Sequence, residues 1–424
     1  MGLKYLYLPS GVKAGTAYGV MPNSADADFD DFTRNSTASR IGKNGFIESV
    51  GSNVPRLDYS DSSCPSLLLE PQRLNRVTNS DEFTGNLLNL TVNRNQIISP
   101  DGSLNADRMF NNNGNGEHFV SNGGFNPSIV NGTDYVASCF FKSDGTGGQG
   151  VIRTYVGTWI RAVFNLEEGT ISAVQSGSDA KMENYGNGWY RCSLLVTAVG
   201  DYGSTFVQIG VGNSLNEYSY QGTSSLGNYF WGVQFEQGSF PTSYIPTNGS
   251  AVTRAADLAG STGDLSDTFN DSEGVLMAEI SALADDLTFR NITISDGSNS
   301  NIIQLRYRST SNVLQALLYV GGVGEIYGVT LNDITIFSKA LIKYKENDVS
   351  FWVNGFEIFS DTLASTFPNG TLNVLRFQRG DGAFPFYGNT KQLRYYDTTD
   401  IDLEELTSWD SFRAMAEGQN YVIE

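Results

Sequence analysis

Alternation constrains this chain more than any other feature. Apolar and polar residues follow one another with a period of two in short runs: Tyr135–Phe141, Val151–Val156, Trp159–Asn165, Trp189–Thr197, Thr205–Val211 and Tyr229–Glu236, then Gly274–Ile280, Asn301–Arg308, Leu314–Val320 and Lys339–Tyr344. Successive side chains of a strand point to opposite faces, so each run reads as a strand with one face in a core. Clusters of Gly, Asn, Asp and Ser bound the runs and supply the turns. Strands that succeed one another without intervening helical periods build antiparallel sandwiches rather than parallel α/β sheets. At 424 residues the chain is too long for one such core, and two or three folded units are expected.

Local signals refine this reading. Val349-Ser-Phe-Trp-Val353 and Phe356-Glu-Ile-Phe359 flank Asn354-Gly355, the pair best suited to a type I′ hairpin, whose two central residues need positive φ. Asp400-Ile-Asp-Leu-Glu-Glu-Leu406 places acids in a first helical turn, where the macrodipole favours them, so a short helix running toward Met415 is expected there. Two prolines in Gly238–Pro246 close the strand-rich stretch before it, because proline cannot continue a central strand. Residues 1–78 carry no long periodic pattern and hold Pro55, Pro65 and Pro71. They read as an extended docking segment with short strands such as Phe46–Val50, ordered by contact made through Leu67-Leu68-Leu69 and Val54–Tyr59. The expected organisation is a docking segment over 1–78, a β-sandwich over 79–250 and a second β-sandwich with a short helix over 251–424: an all-β chain.

Charge and rare residues remove several functions. Lys and Arg total 27 against 46 Asp and Glu, a net charge of −19, which repels phosphate backbones and anionic lipid; nucleic acid is not an expected partner. By region the net charge runs from 0 over residues 1–80 to −6 over 81–254 and −13 over 255–424, as for a neutral docking segment ahead of solvated domains. No apolar run approaches the ~18 to 20 residues of a spanning helix, and Leu3–Leu8 before Pro9 is too short for a secretory leader; neither membrane insertion nor Sec-dependent export is expected. The three cysteines, Cys64, Cys139 and Cys192, and the single His118 form no zinc-binding spacing. Cys139 and Cys192 alternate with apolar neighbours and read as small buried residues that either pair or stay reduced.

Chemistry leaves few candidates. His118, the one residue able to serve a Ser-His-Asp or Cys-His arrangement, reads as a surface or strand-edge histidine. Asp26, Asp28, Asp30 and Asp31 lack the glycine and terminal glutamate of a calcium loop, and Gly145–Gly150 has no following helix to make a phosphate cradle. No metal, cofactor or catalytic residue is expected, and the chain is not read as an enzyme. Carbohydrate binding needs flat aromatic faces beside fixed polar groups. Trp159, Tyr218 and Tyr220 are the candidates, the two tyrosines at period-two spacing that puts both rings on one strand face; Trp189 and Trp352 read as core.

Three stretches resemble known families. Thr33–Arg40 with Gly45–Glu48, Asn53–Tyr59 and Cys64–Arg73 resembles a segment of tailed-bacteriophage virion proteins. Glu183-Asn-Tyr-Gly-Asn-Gly-Trp-Tyr-Arg-Cys192, Trp231–Gly238 and Thr242–Thr247 are similar to carbohydrate-binding-module jelly rolls, and the Asn354-Gly355 hairpin with Leu393–Asp397 and Asp402–Leu406 looks like a concanavalin-A-like, laminin-G-type sandwich. The resemblance implies a virion-located structural protein, a tail-fibre, tail-tip or head-fibre appendage. Its N-terminal segment would bind other virion proteins, and it would act as a homo-oligomer, a trimer foremost, with a host-surface glycan as candidate partner. A glycan-binding receptor protein or a polysaccharide depolymerase is the alternative. Catalytic concanavalin-like proteins carry Glu-x-Asp-x-x-Glu on a strand; Glu346-Asn-Asp348-Val-Ser-Phe351 replaces the last acid by Phe, which speaks against hydrolysis.

Overall fold

The computed structural model describes residues 2–13, 16–20, 32–125, 129–213, 215, 217–261, 264–411 and 415. Two compact units are present: one comprises Ser36–Gly51 and Gln72–Ala255, the other Met1–Asn35, Ser52–Pro71 and Ala256–Glu424. Both are built of antiparallel strands, and the expected all-β architecture of jelly-roll and concanavalin-A-like sandwiches is what is found. The acidic run Asp26–Asp31 lies outside the described residues.

The jelly-roll unit stacks two six-stranded sheets. One orders Asp179–Asn184, Trp189–Thr197, Asp134–Ser143, Gly227–Gln237, Leu104–Asn111 and Leu90–Ile98; the other orders Thr170–Val174, Trp159–Asn165, Gln149–Tyr155, Thr205–Gly212, Phe119–Phe125 and Asn86–Leu88. Alternation decides the core: Tyr135, Ala137, Cys139 and Phe141 of the first sheet meet Ile152, Ala162, Phe164, Val207 and Ile209 of the second, all buried. Each large apolar side chain so buried contributes roughly 1.5–3 kcal/mol before entropy is counted. Cys139 and Cys192 are register partners on adjacent strands and stand as free thiols, with burial pushing both well above the usual thiol range.

The first sheet of this unit is covered on its outer side too. Phe140, Trp189, Trp231 and Tyr244 form a second small core there, joined by Ile47 from the hairpin of Ala38–Ile41 and Ile47–Val50. Gln234 and Glu236 reach out of the strand to hold the segment after it: the main-chain N–H groups of Ile245 and Thr242 donate to Gln234 and Glu236 respectively. The Tyr244 hydroxyl meets Ser80 Oγ at 2.6 Å, and Asn75 Nδ2 donates to the Ile245 carbonyl at 2.8 Å. The stretch Trp231–Thr247 is thus an architectural device held by buried side chains. The outer side of the second sheet, the open face, is half-exposed at Trp159, Arg161, Gln208 and Ser121, while Phe119, Val151 and Val163 on it are buried in a small core with Tyr218 and Ala173 packed against them.

The other unit packs a nine-stranded sheet on a five-stranded one. Through the larger sheet run Leu3–Lys13, Gly388–Tyr396, Glu273–Ala282, Ser338–Lys345, Val349–Val353 and Phe356–Asp361; the smaller runs Val323–Thr330, Val313–Val320, Ile302–Tyr307, Arg290–Ser295 and Val374–Arg376. Residues 1–78 differ here from a single extended segment. Leu3–Lys13 pairs with Gly388–Tyr396 and buries Tyr5 and Tyr7, Ser66–Leu69 pairs with the far end of that same strand, and Ser36–Gly51 belongs to the jelly-roll unit. Leu3–Lys13 and Ser66–Leu69 each have one near partner, Thr16–Val20 and Arg56–Asp58, but the strand that takes both into the large sheet lies more than three hundred residues away, and nothing in the local pattern announces it.

A buried charge network lies in this second unit. Arg34 Nη1 donates to Asp257 Oδ1 at 3.0 Å, Arg56 bonds both Asp257 and Glu70, and the Glu70 N–H donates to Asp257 Oδ2 at 2.8 Å. All four residues are buried. Arg34, Arg56 and Glu70 come from the stretch that resembles virion proteins, which therefore has an internal structural use. In the same unit, Asn354-Gly355 turns the expected hairpin with φ of 51° and 86°. The expected helix is Leu403–Thr407, capped by Asp402, whose side chain accepts from Glu405 N at 2.8 Å. It ends sooner than expected because Ser408 leaves helical geometry, its N–H closing on the Glu404 carbonyl. Leu403 and Leu406 pack with Trp352, which is half-buried rather than fully in the core.

Candidate ligand-binding face

The open face is built by a hairpin that turns at Gly157. Its φ of 98° and the Val199 carbonyl, which a Cβ would approach to 2.1 Å, require glycine. On either side the register pairs Tyr155 with Trp159, Arg153 with Arg161 and Val151 with Val163. Arg153 continues across the sheet to Gln208, and Gln208 to Ser121. The result is a polar row, Arg161, Arg153, Gln208 and Ser121, beside an apolar row, Val163, Val151, Gly210 and Phe119. Hydrogen bonds tie the polar row together: Arg153 Nη1 donates to Gln208 Oε1 at 3.4 Å and Gln208 Nε2 to Ser121 Oγ at 3.2 Å.

Aromatic rings hold the two guanidinium groups. Arg153 lies 4.0 Å from the Trp159 ring centroid and 5.5 Å from those of Phe119 and Tyr218, while Arg161 lies 4.1 Å from the Tyr218 ring. Such contacts are worth about 0.5–2 kcal/mol and fix the plane of each guanidinium. Arg153 also forms an ion pair with Glu117 at 2.9 Å. Trp159 and Tyr218 are half-buried and remain reachable from solvent.

Of the three residues expected to bind sugar, Trp159 and Tyr218 therefore share one site with Arg153, and Tyr220 does not belong to it. The short strand begins only at Ser219, and the Tyr220 ring packs on His118 at 4.1 Å with its hydroxyl donating to the Val211 carbonyl at 3.1 Å; burial pushes this phenol up to about 12. His118, expected at a surface or strand edge, is fully buried. Its ring nitrogens face the carbonyls of Asn89 and Tyr220 at 2.9 and 3.1 Å, which leaves neither for a reacting group. Glu346 and Asp348 lie in the turn before Val349 instead of on a strand, and Asp348 pairs with Lys343 at 2.5 Å. Among the described residues no group of three or more His, Cys, Asp or Glu is placed to hold a metal ion.

A second concavity lies on the covered sheet. Phe46, Tyr185, Trp189 and Tyr229 wall a cleft of about 230 Å³ with Lys142 at its rim. Trp189, expected as core, is 4% exposed and donates its indole N–H to the Ile98 carbonyl at 3.2 Å; Lys142 Nζ donates to the Asn187 carbonyl at 2.6 Å. Sequence reading for aromatic platforms passes over both this cleft and the arginines of the open face. For the arginines a signal exists: Arg153 and Arg161 stand at equal distance on either side of Gly157, as facing residues of a hairpin do.

No protein-family model and no curated protein matches the chain. Among solved structures it is similar to the CBM40 of the Ruminococcus gnavus IT-sialidase bound to α2,3-sialyllactose, at 16% identity over 33% of this chain and 84% of that one, TM-score 0.29. It is also similar to domains LG4-5 of the mouse laminin α1 chain, at 9% identity over 77% of this chain and 94% of that one, TM-score 0.25. The fold itself is established by the strand pairings described above.

Proposed function

We propose that this chain is a non-catalytic recognition protein whose jelly-roll unit binds carbohydrate on its open face. The observation that carries this reading is the gathering of Trp159, Tyr218, Arg153, Arg161, Gln208 and Ser121 on one sheet surface. Sugars are amphipathic, with apolar C–H faces and hydroxyl rims, and a row of guanidinium, amide and hydroxyl groups beside half-exposed rings matches both sides. Acids suited to hydrolysis are absent from that row, so binding without turnover is the expected behaviour. A glycan array probed with the full chain tests it. Retention of a defined saccharide, weakened at least tenfold by Trp159→Ala with Tyr218→Ala, supports the reading; no retention of any saccharide, or release of reducing sugar, overturns it.

A sequence observation favours a second level of description. The resemblance of Thr33–Arg73 to tailed-phage virion proteins supports an appendage carried on a particle, present as a trimer and gaining avidity from several weak sites. Because Arg34, Arg56 and Glu70 serve inside the fold, docking would use other residues. Light scattering of the purified chain tests the trimer, and antibody labelling of purified phage particles tests the location; a monomer, or particles without the protein, would remove this description and leave the sugar-binding one standing.

A further inference from the structure

Arg153 and Arg161 are direct register partners on neighbouring strands. Like charges in that position oppose the pairing, and residues 81–254 hold only eight cationic side chains among 22 charged ones. Others of those cations are neutralised by the chain: Arg94 by Asp107, Arg108 by Asp144, Lys181 by Glu183 and Arg153 by Glu117. Arg161 is the exception on the open face. Among the described residues its guanidinium meets no carboxylate, and its contact is the Tyr218 ring. It is also half-exposed.

A local rule broken with one of the two charges given no carboxylate marks a place where function is expected to override stability. A guanidinium laid against a ring keeps its N–H groups in one plane, directed along the ring and outward, the arrangement that grips a planar or tetrahedral anion with two parallel hydrogen bonds. The Trp159 face that a neutral sugar would use is partly taken by Arg153 at 4.0 Å, so the site offers charge before it offers bare aromatic surface. We propose that the open face takes an anionic saccharide, its acid group bound by Arg161 and its ring seated beside Tyr218 and Trp159. This specifies the ligand class of the carbohydrate reading above and rests on it. The acid group supplies the counter-charge that Arg161 lacks beside the Glu117-paired Arg153, which a neutral sugar does not.

The test uses the full chain and matched probes: oligogalactoside, oligogalacturonate and sulfated oligogalactoside, titrated calorimetrically. The acidic probes are expected to bind about ten- to a hundredfold tighter than the neutral one, with Arg161→Gln erasing the difference and Arg161→Lys restoring part of it. A preference for the carboxylated or the sulfated probe identifies which acid is read. Equal binding of all three, or a preference that survives Arg161→Gln, overturns the inference while leaving sugar binding intact; failure of every probe together with an empty glycan array overturns the carbohydrate reading itself. One readout needs no ligand. Thermal unfolding of Arg161→Gln should be little changed, because relief of the like-charge pair offsets the lost contact with the Tyr218 ring, and a marked fall would assign Arg161 to structure and overturn the proposal.

Discussion

At the scale of single residues the buried charge network is the most demanding element of the chain. Two arginines and two carboxylates removed from water are tolerable only because each is bonded to a group of opposite charge. Arg56 touches both acids, so Arg56→Met would strand Glu70 and Asp257 with too little positive charge. The expected cost is about 3–5 kcal/mol, the range for breaking a buried pair by removing one partner; urea denaturation followed by circular dichroism checks it, and a change below about 1 kcal/mol would show that Arg34 alone satisfies the acids. No reading of Thr33–Arg73 in isolation leads to this network, since its fourth member, Asp257, comes nearly two hundred residues later. Arg34, Arg56 and Glu70 lie in the stretch that resembles virion proteins, and their side chains are spent inside the fold.

At the scale of elements, strands and turns were legible because their causes are local. Trp159–Asn165, Trp189–Thr197 and Val349–Val353 fall where alternation put them, and Asn354-Gly355 makes the hairpin that its positive φ values allow. The same turn has a second duty: the Gly355 N–H donates to Thr407 Oγ1 at 3.2 Å, and a Cβ at 355 would stand 3.1 Å from Ser408 Oγ. Gly355→Val should therefore cost roughly 1–2 kcal/mol through the left-handed backbone alone and also loosen the Leu403–Thr407 helix. A lowered melting temperature with faster amide exchange at Leu406 and Thr407 is expected; a lowered temperature with unchanged exchange would separate hairpin from helix. The candidate face was half legible. Trp159 and Tyr218 were visible as aromatic residues at strand positions, whereas Tyr220 was misplaced because a three-residue strand does not extend the alternation back to Tyr218. Arg153 and Arg161 went unread because their meeting depends on hairpin register, which a pattern of residue types does not contain.

At the scale of the whole molecule, burial of phenols sets an alkaline limit. Tyr5, Tyr7, Tyr307 and Tyr344 are raised above the ordinary range by burial, and Tyr395 is pushed up to about 12 by the same cause, all in the concanavalin-like unit. The unfolded chain ionises its tyrosines near about 10. Stability from these groups is therefore complete below that pH and is lost as pH rises through the raised values. Cooperative unfolding with simultaneous appearance of tyrosinate absorbance is expected between about pH 10 and 12; smooth tyrosinate titration with the circular dichroism spectrum unchanged would show the phenols to be accessible. The order of assembly follows from the pairing of Leu3–Lys13 with Gly388–Tyr396. On the ribosome Leu3–Lys13 can pair early with Thr16–Val20 but must wait, its other hydrogen-bonding edge bare, until Gly388–Tyr396 has been made, so nascent copies translated side by side on one message are exposed to mispairing in a way that finished copies are not.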